Sequence, residues 1–355
     1  MKVLLLTRYG RLGVTSRIRF LQYAPYLEKH GVEITVAPFL TDDYVQSLYK
    51  GQKNVTAVAG AYMRRFRQLL GSGGYDLLWI EKELLPWLPA IPERMVGPYV
   101  VDYDDAVFHG YDQHPSFLVR FLLGNKIRTT MARATVVVAG NEYLANYARE
   151  AGASDIQYVP TVVDLDRYGV PHEHSNEIFT IGWIGTPWTA RYLPAIAPAL
   201  KEACRDGRAR LLLIGSGDIK LADVPLEIRS WSESTEIENI QSIDVGIMPL
   251  PDEPYERGKC GYKLLQYMAC GRPVIASPVG VNRQIVDDGV NGLFATTLTD
   301  WTHAIEKLRQ NPEMRRTMGA AARLKVEGAY SLQVQAPRVL AILEKARRVS
   351  QLKSP

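Results

Sequence analysis

The run from Arg257 to Gly280, RGKCGYKLLQYMACGRPVIASPVG, sets Lys259 and Lys263 on either side of Gly261, where an amphipathic helix should begin. A helix start presents backbone N–H groups and a partial positive charge to an anion, so the chemistry these residues suit is phosphate binding. Gly271 closes that helix, PVIAS reads as a buried strand, and a second glycine loop ends at Gly280. Near the amino end, RYGRLGVTSRIR holds Gly10 and Gly13 after an apolar run, with Thr15 as the expected helix cap and Arg17 and Arg19 beyond it. Two glycines fall short of the dinucleotide fingerprint, and a plain strand-to-helix turn is the alternative reading. A third group, VVDYDDAVFH, brings Asp102, Asp104, Asp105 and His109 to the end of a buried strand, where open α/β sheets put their reactive groups. Three carboxylates so close together need positive or hydroxylic partners. A polar cap on the sheet is the alternative there, and a surface histidine the alternative for His109.

These groups need a frame, and the sequence supplies one. KVLLLT, VEITVAPF, DLLWI, PYVVDYD and TVVVAG are short, apolar and β-branched, and helical stretches separate them. That alternation predicts a parallel sheet with crossover helices. A polar stretch with Pro171 follows, and strands resume with IFTIGWIG, RLLLIGSGD, EIRSW, IDVGIMPL and PVIAS, which puts the linker at 165–177. The chain of 355 residues suits two such domains of about 150 to 200 residues each. From Asp300 onward it reads as three helices.

The order and spacing of Gly261, the LLQYMACG helix, PVIAS and the later DDGVNGLF resemble the signature of the retaining nucleotide-sugar glycosyltransferases of family 4, the group 1 transferases of the two-Rossmann-domain (GT-B) fold. The resemblance covers nearly the whole chain and is densest over 178–296. It implies an α/β chain with two Rossmann-like domains facing a central cleft: an acceptor-side domain over 1–170, a nucleotide-sugar donor domain over 171–330, and a helix over 331–355 that crosses back onto the first domain. Lys263 and Arg191 would then stabilise charge on the leaving diphosphate, with the backbone around Gly261 and Tyr262. Counted from Gly185, Arg191 takes the family's usual lysine position, while Thr186 replaces the usual arginine. Gly280, Val281 and Asn282 fall where relatives hold the donor by backbone amides, Trp231 where the base is bracketed, and Gly13 where the backbone approaches the diphosphate. The family's paired glutamates correspond to Gly258 and Gln266 here. Gln266 can still accept a ribose hydroxyl hydrogen bond, and Glu256 is the carboxylate that could swing in for the other. Asp104 stands where many relatives carry a histidine that contacts the sugar, and it or the departing phosphate could take the acceptor's proton. No metal and no cofactor are implied, since basic groups neutralise the diphosphate of the donor substrate.

Composition fits this without proving it. A content of 46% hydrophobic and 23% charged residues describes an ordinary globular chain, and the opening apolar run stops at Thr7 and Arg8, short of a signal-peptide core. A cytoplasmic location follows as the expectation, under which Asn54-Val55-Thr56 is never a glycosylation acceptor. Cys204, Cys260 and Cys270 lack zinc-like spacing and read as free thiols, with Cys260 a small filler. His172 and His174 lack further metal ligands. A net charge of +4 is too mild to argue for nucleic acid. The partners expected are a nucleotide-sugar donor and a glycan, glycolipid or small hydroxyl acceptor. The basic stretches AYMRRFRQLL and FLVRFLLGNKIRTTMAR could also seat the first domain on the acidic inner face of a membrane, against the plainer reading of half-buried helices. Two other functions compete: a sugar-nucleotide epimerase of the same fold, which needs acid and base groups around the sugar, and a degenerate non-catalytic binder of a nucleotide or partner.

Overall fold

Short β-branched strands buried on both faces pair in parallel only where helices cover the sheet on either side. The computed structural model describes residues 1–49, 51–52, 54–169 and 177–353 and contains two such sheets, each of six strands. The first comprises β1 (Lys2–Leu6), β2 (Glu33–Val36), β3 (Leu77–Glu81), β4 (Tyr99–Tyr103), β5 (Val136–Ala139) and β6 (Ile156–Tyr158), in the order β2-β1-β3-β4-β5-β6. The second comprises β7 (Phe179–Ile184), β8 (Ala209–Ile214), β9 (Leu226–Arg229), β10 (Val245–Met248), β11 (Val274–Ala276) and β12 (Gly292–Phe294), in the order β12-β11-β10-β7-β8-β9. All pairings are parallel. Counted from β7, the second order is that of the doubly wound dinucleotide-binding sheet. The strand direction of travel reverses between β1 and β3 in one sheet and between β7 and β10 in the other. Ligands of open α/β sheets bind outside the carboxyl ends of the strands at such reversals.

The chain divides into two compact units, one holding Met1–Thr161, Arg257–Cys260 and Gln335–Pro355, the other Val162–Glu256 and Gly261–Val334. The expected boundary at 170/171 lies outside the described residues, as do His172 and His174. The three expected C-terminal helices are Leu298–Gln310, Pro312–Ala329 and Leu332–Lys353. From Gln335 the last of them belongs to the first unit, where Arg338 donates to the Tyr158 carbonyl at 3.0 Å and Lys345 pairs with Asp155 at 2.7 Å. This is the return of the C-terminal helix that the family resemblance implies. Asn54 caps the helix Val55–Leu70 by accepting from the Ala57 N–H at 2.9 Å, a structural role for that sequon. Among the described residues no helix is long and apolar enough to cross a membrane.

Candidate functional site

In the second unit the anticipated helix spans Tyr262–Ala269, and Gly261 caps it in the left-handed conformation at φ 67°. A side chain there would meet the Ile285 Cδ1 at 2.3 Å as well as backbone strain, so glycine is required. Val281 and Asn282 flank the same point, which brings Gly261, Tyr262, Gly280, Val281 and Asn282 into one loop cluster at the carboxyl end of β11. The Asn282 side chain is committed within that cluster, where it donates to the Ser277 carbonyl at 3.0 Å. Tyr267 anchors the helix to the sheet, because its hydroxyl oxygen accepts the Ile184 N–H at 2.9 Å at the end of β7. That anchoring holds Lys263, one turn earlier, with its ammonium 5.5 Å above the Trp183 ring on β7.

Arg191 leaves the same strand end. Thr186 caps the short helix Pro187–Ala190 through a capping box with Thr189, which accounts for a threonine in place of a ligand-binding arginine. Arg191 then stacks over Trp188 at 4.0 Å, bonds the Tyr192 hydroxyl at 3.0 Å and pairs with Glu256 at 3.4 Å. Glu256 is itself buried, and it also accepts from the Tyr192 hydroxyl. Beside Arg191 lies a pocket of about 340 Å³, lined also by Tyr192, Pro249, Leu250, Ser277 and Trp301. Its lining follows the carboxyl ends of β10, β11 and β12 and is completed by Arg191 to Ile196 from the segment after β7. Of the residues expected to hold a donor, Arg191 alone lines it.

Gln266 and Trp231 are joined through residues that sequence reasoning missed. Gln266 is 3% exposed and bonds the buried Tyr168 hydroxyl, which donates to Glu236 at 3.2 Å; the Trp231 indole N–H donates to the other oxygen of Glu236 at 2.7 Å. Burial holds the Tyr168 phenol far above its usual range, so it remains a donor. The carboxylate that Gln266 lacks is thus present two bonds away, in Glu236, five residues after Trp231 in the run SESTEIEN.

The first unit places its groups at the ends of β1, β3 and β4. Gly13, not Thr15, caps the helix Val14–Arg19, and Thr15 instead donates to Asp104 at 2.8 Å. Lys82, also unforeseen, has a positive φ of 63° just past β3 and sits 2.8 Å from the other Asp104 oxygen and 3.3 Å from Asp105. Strain of this kind in a non-glycine residue is held only where surrounding contacts over-determine it. Burial works against charge on Asp105, yet Lys82 and Lys259 hold its carboxyl below the usual range. Arg19 is fully enclosed, pairs with Asp102 at 2.8 Å and donates to the Val159 carbonyl at 2.8 Å, so it is a strut of the fold. Arg17 is buried and donates to the Arg11 carbonyl at 3.2 Å. His109 is no bare surface residue: it bridges Asp112 at 2.9 Å and the Tyr143 hydroxyl at 2.7 Å.

Gly258 explains one missing glutamate. A side chain at this position would come within 2.7 Å of the Ala106 backbone nitrogen, and Asn141 clamps the Gly258 and Lys259 carbonyls at 2.8 and 3.0 Å. Cys260 next to it is buried; burial and the nearby Asp104 push its thiol up, which leaves it an inert filler.

Residues 176–311 match the family model described as glycosyl transferases group 1. Over 90 residues the chain is 36% identical to a D-inositol 3-phosphate glycosyltransferase of Arthrobacter sp. (strain FB24), a stretch amounting to 25% of this chain and 20% of that protein. A second such enzyme, from Paenarthrobacter aurescens (strain TC1), is 32% identical over 98 residues, 27% of this chain and 21% of its own length. The match thus spans about a fifth of the length of these curated relatives. Among solved structures, a sucrose-phosphate synthase from Thermosynechococcus elongatus superposes with a TM-score of 0.72 at 15% identity, over 97% of this chain and 98% of that one. HepE of Anabaena in complex with UDP-glucose gives 0.68 at 16% identity, over 96% and 98%. At these identities the likeness is one of fold.

Proposed function

From the match of residues 176–311 to the glycosyl transferases group 1 family model, we propose that the chain is a retaining glycosyltransferase that moves a sugar from a nucleoside diphosphate to a hydroxyl acceptor, in the making of a glycan or glycoconjugate. The observation that carries this reading is the Gly261 turn, which starts an eight-residue helix bearing Lys263 at the carboxyl edge of a doubly wound sheet. In the transfer, the bond from the sugar's anomeric carbon to the diphosphate breaks and a bond to the acceptor oxygen forms on the same face. Charge grows on the departing phosphate, and Lys263, Arg191 and the positive end of the helix stabilise it without a metal ion. Both oxygens of Asp104 already have partners in Thr15 and Lys82. That favours the departing phosphate as the group that takes the acceptor's proton, with Asp104 held in place near the sugar by those two partners.

The packing of Gly258 favours one rival, a chain that binds a nucleotide and transfers nothing, because no carboxylate fits at that place without movement. Two measurements separate the readings. In a thermal-shift series over nucleoside diphosphates, starting with UDP because HepE is seen with UDP-glucose, one base at a hundredfold its Kd should add about 2.7 kcal/mol of stability. Proton NMR should then show the first sugar product with the donor's anomeric configuration. An inverted product would overturn the retaining mechanism, nucleotide binding without any turnover of donor would favour the rival, and no response to any base would remove the donor site.

A further inference from the structure

The first unit carries an apolar face that its own fold leaves uncovered. On the helix Phe117–Leu123, the side chains of Phe117, Leu118, Phe121 and Leu122 are 56–73% exposed, and the two phenylalanine rings stack on each other at 6.1 Å. Trp87, Ile91 and Met95, in the loop after β3, are exposed as well. The two segments adjoin, since the Trp87 ring meets His114 at 5.8 Å, three residues before Phe117, and also the Tyr111 ring at 5.2 Å. The Tyr62 hydroxyl donates to the Pro86 carbonyl and so brings up the helix Val55–Leu70, which exposes Met63 and Phe66.

Charge identifies the occupant. Residues 55–70, 86–95 and 113–134, the segments that carry these apolar groups, also expose Arg64, Arg67, Arg94, Arg120 and Arg133, and their single acidic residue, Glu93, is buried. The neighbouring Asp112 is tied to His109 at 2.9 Å, and aromatic and aliphatic groups bordered mainly by cations are suited to the boundary between headgroups and acyl chains. A soluble protein partner would not require so one-sided a border. We propose that this face docks the first unit on the surface of an anionic lipid bilayer, with the Phe117 and Phe121 rings entering the headgroup boundary and the arginines meeting lipid phosphates. The proposal does not rest on the donor reading, and its test involves no sugar transfer.

The test is co-sedimentation of the full chain with vesicles of phosphatidylcholine alone and of phosphatidylcholine mixed with phosphatidylglycerol. The chain should pellet with the anionic vesicles, less so at high salt, and remain in solution with the neutral ones. Joint replacement of Phe117→Ser and Phe121→Ser should lower the partition coefficient by about tenfold or more, with an unchanged melting temperature because both rings are exposed. Equal pelleting of the double variant, equal pelleting with neutral vesicles, or none with anionic ones would overturn the proposal. So would a dimer in sedimentation velocity, without lipid, that the double variant dissolves, since the face would then belong to a second copy of the chain.

Discussion

The polar groups of the two units are arranged in opposite ways. In the first unit the charges at the strand ends are buried and saturate one another: Arg19 with Asp102, Lys82 with Asp104 and Asp105, and Lys126 with Glu83 at 2.6 Å. In the second, the two cations that matter are partly exposed, with Lys263 lying over an aromatic ring and Arg191 paired with one carboxylate while its side chain is 42% exposed. Charges closed among themselves fix a shape, whereas charges at an exposed rim can meet the charge of a ligand. The first unit should therefore fail by unfolding when its charges are removed, and the second by losing affinity.

The sharpest way to break that contrast is Arg19→Ala. It leaves Asp102 buried without its cation, and removing one partner of a buried pair costs about 3–5 kcal/mol. Denaturant unfolding should show a loss of this size, and a loss below about 1 kcal/mol would mean that the pair holds nothing together. A smaller effect sharpens the other side. Gln266→Leu removes a side chain that bonds Tyr168 beside Glu236, so nucleotide affinity should fall by the worth of a neutral hydrogen bond, about 0.5–1.5 kcal/mol. Because Gln266 is buried, some stability should go with it, and Gln266→Glu should weaken binding further by setting a second carboxylate near Glu236. Tighter binding by Gln266→Glu, measured calorimetrically, would show that the network does not act in this way.

How much of this was legible in the sequence follows the same division. Strands such as β3, β4 and β7 are buried along their whole length, and an unbroken apolar run announces them. β6 and β12 have three residues each, too few for any periodicity to show. In the second unit, Gly261 and Lys263 were readable because a glycine turn and a helix start are local features. Lys82 was not, since its conformation and its two carboxylate partners come from β3 and β4 lying side by side. The exchange of roles between Gly13 and Thr15 has the same origin: Thr15 is drawn to Asp104, 89 residues on. Glu236 could have been suspected from the acidic run after Trp231, but only the fold reveals that Gln266 shares its network.

The central claim is that Lys263 serves a ligand and not the fold. It is tested most directly by titrating a nucleoside diphosphate into the parent chain and into Lys263→Ala by calorimetry, with the unfolding midpoint of each measured alongside. A charge-assisted bond to phosphate is worth about 1.5–3 kcal/mol, so the variant should bind about ten to a hundred and fifty times more weakly at an unchanged midpoint. Equal affinity in the two proteins, or a loss of affinity accompanied by a matching loss of stability, would contradict the account.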